Sequence, residues 1–352
     1  MDRSAGDKIL GFKFSSERVG DVRIEELLAQ GGTSWVYRVQ TGRGQAALKI
    51  LNEQATERAS ARNRFDQEAK VSAAAGSDAV EVYDYGVLPD DGRQYIIMEL
   101  IAGETLAAVL EREGCFREWM PAVRIAARVA RILEKTNKAK VIHRDVKPGN
   151  VMLDRTKSDL RVRLLDFGAA KSRGEYGAIQ TLEDDIVGTP GYIPCEVLLG
   201  ADDINEKVDV FSLGVVLYES LIGELPFPQS TPDERKAMLS SRASRLNEKR
   251  AALGLAKVPA ALEDIVASAL EIEALERPTM KEMAETLERL INAPQAADVD
   301  VPADEVTLAP WTPWFLGLAG GAALAVTLGL YLAELHILPT APGPALETRG
   351  VP

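Results

Sequence analysis

With 352 residues, 46% of them apolar, the chain is long enough for two ordinary domains or one large two-lobed one, and apolar enough to exclude wholesale disorder. A formal charge of −12 argues against nucleic acid as a partner, because that affinity comes from basic groups set on phosphates. Two widely spaced cysteines, Cys115 and Cys195, and two histidines, His143 and His336, argue against a disulfide scaffold and a His-rich zinc site, and the opening MDRSAGDKIL has no apolar core of a secretion signal.

From about residue 10 to 100 the text reads as strands and hairpins, broken by one Ala-rich helical stretch, TERASARNRFDQEAKVSAAA. Within it, LAQGGTSWVYRV, Leu28 to Val39, predicts a turn between two strands of the kind that covers phosphates. Gly31 and Gly32 keep that turn permissive, while Ala29 and Ser34 stand at two places where such a turn favours glycine. From about 105 to 292 helical periodicity dominates, as in MPAVRIAARVARILEKTNKAK and ALEDIVASALEIE. A β-rich part followed by a larger helical part predicts an α+β protein with two lobes.

Past Asn292 the composition shifts to Ala, Pro and acidic residues, which predicts a linker over residues 293–313. Trp314 to Ala333 carries no charge and, as a helix, would be about 30 Å long, so a transmembrane helix is expected there. No Lys or Arg occurs between Leu290 and Thr348, so charge counting leaves its orientation open. The tail, residues 334–352, is too short to fold as a sensor domain.

Six stretches carry chemistry: AALKI with Lys49, RFDQEA with Glu68, VIHRDVKPGN from Val141 to Asn150, VMLD, LLDFGAAK with Asp166, and GTPGYIPCE from Gly188 to Glu196. Lys49 lies in an apolar strand run, where a lone ammonium is costly to bury. Glu68 follows Phe65 by one helical turn, which sets it beside an apolar residue on the inward face. A polar turn explains Pro148 and Gly149, but not a lysine two residues after Asp145 and an asparagine five after it.

In this order and together the motifs resemble eukaryotic-type (Hanks-type) protein kinases, in particular bacterial membrane serine/threonine kinases, across about residues 20–292. The resemblance implies a two-lobed protein-kinase-like fold plus one C-terminal transmembrane helix. Residues 1–20 would be an extension and 21–292 the kinase domain, with a small lobe over about 21–100 and a large one over about 101–292. It implies ATP with Mg2+, or Mn2+ in its stead, as cofactors. Asp145 would orient the substrate hydroxyl, Lys147 steady the transferring phosphate, and Asn150 with Asp166 hold the metal. Lys49 would pair with the phosphates and Glu68, under Gly31 and Gly32. Leu28, Val36, Ala47 and Leu153 would sandwich the adenine, Met98 guard the back of its pocket, and the backbone of Glu99 and Ile101 bind its edge. Asp209 would brace the catalytic loop, and Arg277 would pair with Glu196 as a structural ion pair.

The sequence departs from the family pattern at Ala29, Ser34, Pro194 and Cys195, none of which removes a phosphate, metal or hydroxyl contact. Arg144 before the catalytic aspartate resembles kinases controlled by activation-segment phosphorylation, for which Ser172, Thr181 and Thr189 are the available hydroxyls and Thr181 the expected autophosphorylation site. Gly317, Gly321, Ala325 and Gly329 recur on one face of the expected span, which fits either a homodimer or the ordinary composition of membrane helices. The reading that results is a kinase tethered by a single pass through the cell (inner) membrane, its kinase domain cytoplasmic, that phosphorylates serine and threonine in protein substrates. The alternative is a catalytically weak pseudokinase acting as a nucleotide-binding scaffold.

Overall fold

Alternation of apolar and polar side chains along the first six strands gives a sheet with two unlike faces. The structure, a computed structural model, describes residues 9–74, 80–154, 161–167, 171–172, 189–199, 201, 204–227 and 241–293. Thr181, the linker beyond 293, the expected span 314–333 with its Gly317, Gly321, Ala325 and Gly329, and the tail lie outside the described residues. Among the described residues no helix is long and apolar enough to cross a membrane.

Strands β1 (Lys13–Ser16), β2 (Gly20–Gln30), β3 (Ser34–Thr41), β4 (Gly44–Leu51), β5 (Val82–Val87) and β6 (Gln94–Glu99) form one antiparallel sheet in the order β1-β2-β3-β4-β6-β5. On one face Tyr37, Leu48, Ile50, Tyr95 and Ile97 close a core with Phe14, Val22 and Ile24. Register decides the other face. Val36 lies opposite Lys49, and Ala47 opposite Met98, so all four share the side turned away from that core.

Two helices follow β4. The Ala-rich stretch reads as one helix in the sequence, yet it folds as α1 (Glu53–Glu57) and α2 (Ala59–Ala74), with Arg58 extended between them. No Gly or Pro marks the break; Asn52 caps α1 by accepting from the Ala55 N–H, and Ala55 is buried with Leu51. Phe65 and Ala69 of α2 then pack on Ile96 of the sheet.

The large lobe contains β7 (Gly103–Thr105), α3 (Leu106–Glu113), α4 (Trp119–Lys138), β8 (Val141–Ile142), β9 (Val151–Asp154), β10 (Arg161–Leu164), β11 (Lys171–Ser172), α5 (Cys195–Leu198), α6 (Lys207–Ile222), α7 (Leu246–Ala252), α8 (Ala260–Ala269) and α9 (Met280–Asn292). Strands β7, β9 and β10 form a small sheet, and β8 pairs with β11. A Cβ at Gly103 would meet the Leu153 carbonyl oxygen at 2.0 Å, so only glycine lets β7 lie this close to β9. Helix α6 is apolar nearly all round and buried nearly all round, the mark of a core helix. Helix α4, by contrast, buries one stripe that includes Val123, Ala126, Ala130 and Leu133. Arg250, fully buried, donates to the carbonyls of Ala256 at 2.7 Å and Leu221 at 2.8 Å, tying α7 to the end of α6.

Candidate active site

The loop between β8 and β9 carries Asp145, Lys147 and Asn150. Its ends are anchored by apolar burial, with Ile142, Val146 and Val151 all inside. Pro148 opens a single 3-10 turn over Pro148–Asn150, where its missing N–H costs nothing. Asn150 Nδ2 donates to the Asp145 carbonyl at 2.8 Å and to Asp145 Oδ2 at 3.0 Å. Lys147 Nζ lies 2.8 Å from the same Oδ2. On the other carboxylate oxygen, the Thr189 hydroxyl donates to Asp145 Oδ1 at 2.8 Å while accepting from Lys147 Nζ at 2.6 Å. An aliphatic hydroxyl thus sits between a carboxylate and an ammonium.

The backbone is strained both in this loop and just after β10, and the loop is braced. Arg144 has φ +67° and Asp166 φ +60°, both in the left-handed region that ordinary side chains avoid. Asp209 of α6, with no exposed surface, accepts the His143 N–H at 2.9 Å and the Arg144 N–H at 2.8 Å. Burial pushes the Asp209 carboxyl above the usual range, against the pull of His143 and the two backbone donors. His143 packs on Phe167 with ring centres 4.7 Å apart, and its Nε2 lies 3.1 Å from the Leu165 carbonyl oxygen.

Across the cleft, strand parity aims Lys49 at α2. Its ammonium donates to both Glu68 oxygens, at 2.6 and 2.7 Å, and lies 3.2 Å from Asp166 Oδ2. Lys49 is 8% and Glu68 6% exposed, so this is a buried pair rather than a solvated one. Burial opposes the ammonium, but Asp166 and Glu68 outweigh it and hold Lys49 above the usual lysine range. Burial first, then Asp166 opposite, push Glu68 up to about 7 against the attraction of Lys49. Lys49 Nζ also lies 5.9 Å from the centre of the Phe65 ring, one turn before Glu68 on α2.

The positions expected to line an adenine pocket fall on the same side of the sheet. Val36, Ala47 and Met98 share the Lys49 face by register. Leu153 is buried on β9. Leu28 sits at a register shift of β2 and is 38% exposed, a roof residue without a covering layer. Glu99 donates its N–H to the Glu81 carbonyl at 2.8 Å, and its side chain accepts from Arg163 of β10. Ile101 follows at the crossing between lobes, half-buried. In the turn, the Gly31 N–H donates to the Ser34 carbonyl at 2.8 Å, and Gly32 has open space where a Cβ would stand.

Beyond Thr189, the chain is fastened to the large lobe. Tyr192 donates to Glu219 Oε2 at 2.6 Å, and Ser212 donates to the Tyr192 carbonyl at 2.8 Å. Cys195 is packed into the core, and burial raises its thiol. Its side chain therefore fills space in place of the usual proline. Arg277 donates to both Glu196 oxygens, at 2.6 and 2.9 Å, and to the carbonyls of Glu271 and Ile272. The guanidinium also lies 4.9 Å over the Phe211 ring.

The donor set suits a hard divalent ion held partly by a ligand. Asp145 consumes the Asn150 amide nitrogen, which leaves the amide oxygen for a cation. No group of three His, Cys, Asp or Glu that could cage a metal occurs among the described residues. One carboxylate, Asp166, and one amide oxygen fit an ion that takes its remaining ligands from water and phosphate.

Three participants escaped the sequence reading. Thr189 was expected as a possible phosphosite, but its bridge between Asp145 and Lys147 was not foreseen. Arg163 reaches Glu99 from β10. Asn52 donates to the Gly32 carbonyl at 2.9 Å. Only Asn52 had a local signal, an asparagine just ahead of a helix.

The model of the protein kinase domain family matches residues 22–287. A probable serine/threonine-protein kinase of Clostridium acetobutylicum is 32% identical over 213 residues, covering 60% of this chain and 31% of that protein. The serine/threonine-protein kinase PknB of Mycobacterium tuberculosis is 35% identical over 214 residues, 59% of this chain and 33% of its own length. PknA of the same species is 35% identical over 214 residues, 59% of this chain and 48% of its own. The match thus spans less than half the length of each of these relatives, from 31% to 48%. The chain belongs to the protein kinase domain family, and the relatives it is similar to are serine/threonine-protein kinases.

Proposed function

We propose that the chain transfers the γ-phosphate of ATP to serine and threonine hydroxyls of proteins. The observation that supports this reading is the Thr189 hydroxyl held between Asp145 and Lys147, an alcohol of the kind the reaction would use, set between a carboxylate and an ammonium. Asp145 orients the attacking hydroxyl and accepts its proton; Lys147, beside it, balances charge on the transferring group. Lys49, kept protonated by Glu68, meets the other phosphates under the Gly31–Gly32 turn. Asn150 and Asp166 would hold magnesium or manganese, which would supply charge neutralisation on phosphate oxygens. Val36, Ala47, Met98 and Leu153 enclose the adenine between the lobes, with the Glu99 and Ile101 backbone at its edge.

The uncharged stretch at 314–333 supports a membrane tether, with the catalytic lobes on the side where ATP is supplied. Autophosphorylation within the segment holding Ser172, Thr181 and Thr189 is part of the same reading, supported by the arginine before Asp145. A homodimer through Gly317, Gly321, Ala325 and Gly329 would bring two such segments together. The deciding experiment is radiolabel transfer from ATP to a generic basic protein by the full chain and by its Asp145→Ala variant. Transfer by the wild type alone is the expected result; equal labelling by both would remove the assignment. Fractionation of the same chain, with and without residues 314–333, tests the tether.

A further inference from the structure

We propose that Asn52 is a positioning residue for the phosphate-covering turn, tying it to the helices that carry Glu68. The inference rests on the kinase reading above. Asn52 ends β4 and divides its carboxamide between two tasks. Its Oδ1 accepts the Ala55 N–H at 2.8 Å and caps α1, while its Nδ2 donates to the Gly32 carbonyl at 2.9 Å. Its own backbone N–H donates to the Thr33 carbonyl at 2.9 Å. Two successive carbonyls at the tip of the turn therefore end on one residue.

The chemistry of the turn makes this useful. A backbone loop binds phosphate through its N–H groups, and a carbonyl oxygen facing the same anion repels it. Asn52 engages the carbonyls of Gly32 and Thr33, so they are not offered to the ligand. Apart from Gln30, residues 29 to 34 are small, and inside the turn the Gly31 N–H donates to the Ser34 carbonyl at 2.8 Å. The tie continues beyond the turn. The Asn52 carbonyl accepts the Thr56 N–H at 3.0 Å and its hydroxyl at 2.9 Å, and Arg62 of α2 donates to the Thr56 carbonyl. One path of hydrogen bonds thus runs from the turn to the helix whose Glu68 holds Lys49.

Two variants of the full chain separate this role from helix capping. Asn52→Ser keeps a good capping oxygen but is too short to reach Gly32, and Asn52→Asp keeps the cap while replacing the donor by an oxygen. In the nucleotide-free protein, amide hydrogen exchange over residues 31–34 should quicken about fivefold, the effect of one ordinary hydrogen bond, with exchange at Ala55 unchanged. The KM for MgATP should rise about fivefold while kcat stays within about twofold, and more in the Asp variant, whose added charge faces phosphate. Wild-type exchange in both variants, or faster exchange without any change in KM, would overturn the inference. A wild-type chain that neither binds MgATP nor transfers phosphate would instead overturn the kinase reading, while faster exchange in the variants would still support the tie.

Discussion

The two sides of the cleft hold their working groups by different means. On the small-lobe side, Lys49 is fixed by side-chain charge alone, between Glu68 on a helix and Asp166 on a loop. On the large-lobe side, Asp145 is fixed by backbone, through a buried aspartate on a core helix that grips two successive N–H groups. Charge pairs between separate elements form and break when an element shifts. A backbone grip from a buried helix breaks only when the lobe unfolds. The first arrangement can be adjusted by whatever moves α2; the second is part of the fold itself.

Substitutions should separate these two modes. The largest effect is expected at the reacting group: Asp145→Ala should lower kcat about a thousandfold with little change in Tm. Arg277→Met comes next and has the opposite signature. It strands the Glu196 carboxylate, and with the guanidinium itself fully buried it should cost about 3–5 kcal/mol of stability, read as a fall in Tm. If Arg277→Met were to leave Tm unchanged, the large lobe would not be the rigid partner described above.

Glu68→Gln should lower kcat/KM about tenfold without a comparable loss of stability, because burial already penalises the Glu68 charge. Its pH dependence has a definite sign. A carboxyl at about 7 in the fold, against 4.5 outside it, stabilises the fold below 4.5, and that contribution is lost as pH rises through 7. Denaturant titration of the nucleotide-free protein should therefore show wild type losing ground to Glu68→Gln across this window. The smallest effect belongs to Arg131→Ala, which breaks a partly exposed pair with Glu288 across α4 and α9 and one with Glu134 within α4. It should stay within about 1 kcal/mol and leave activity unchanged.

Much of the site could be read from the sequence because its residues are local. Asp145, Lys147 and Asn150 lie within six positions, and the spacing of Lys49 in an apolar strand already called for an acidic partner. Phe65 set the face of α2 and therefore the direction of Glu68. The contacts that escaped the reading join distant elements. Thr189 reaches Asp145 across 44 positions and Arg163 reaches Glu99 across 64. The break at Arg58 escaped for another reason: neither residue type nor periodicity changes there, and Arg58 is extended between the two helices with its N–H on the Ala55 carbonyl.

By itself the sequence determined which strands alternate, which helix is buried on all sides, and which side chains carry charge into an apolar run. These follow from local periodicity and from the cost of burying a charge. Tertiary structure alone decided that Asp166 also meets Lys49, which hydroxyl meets Asp145, and where the turn over the cleft is tied down. Those pairings depend on sheet register and on the approach of helix to sheet, and both are settled only when the separate elements pack together.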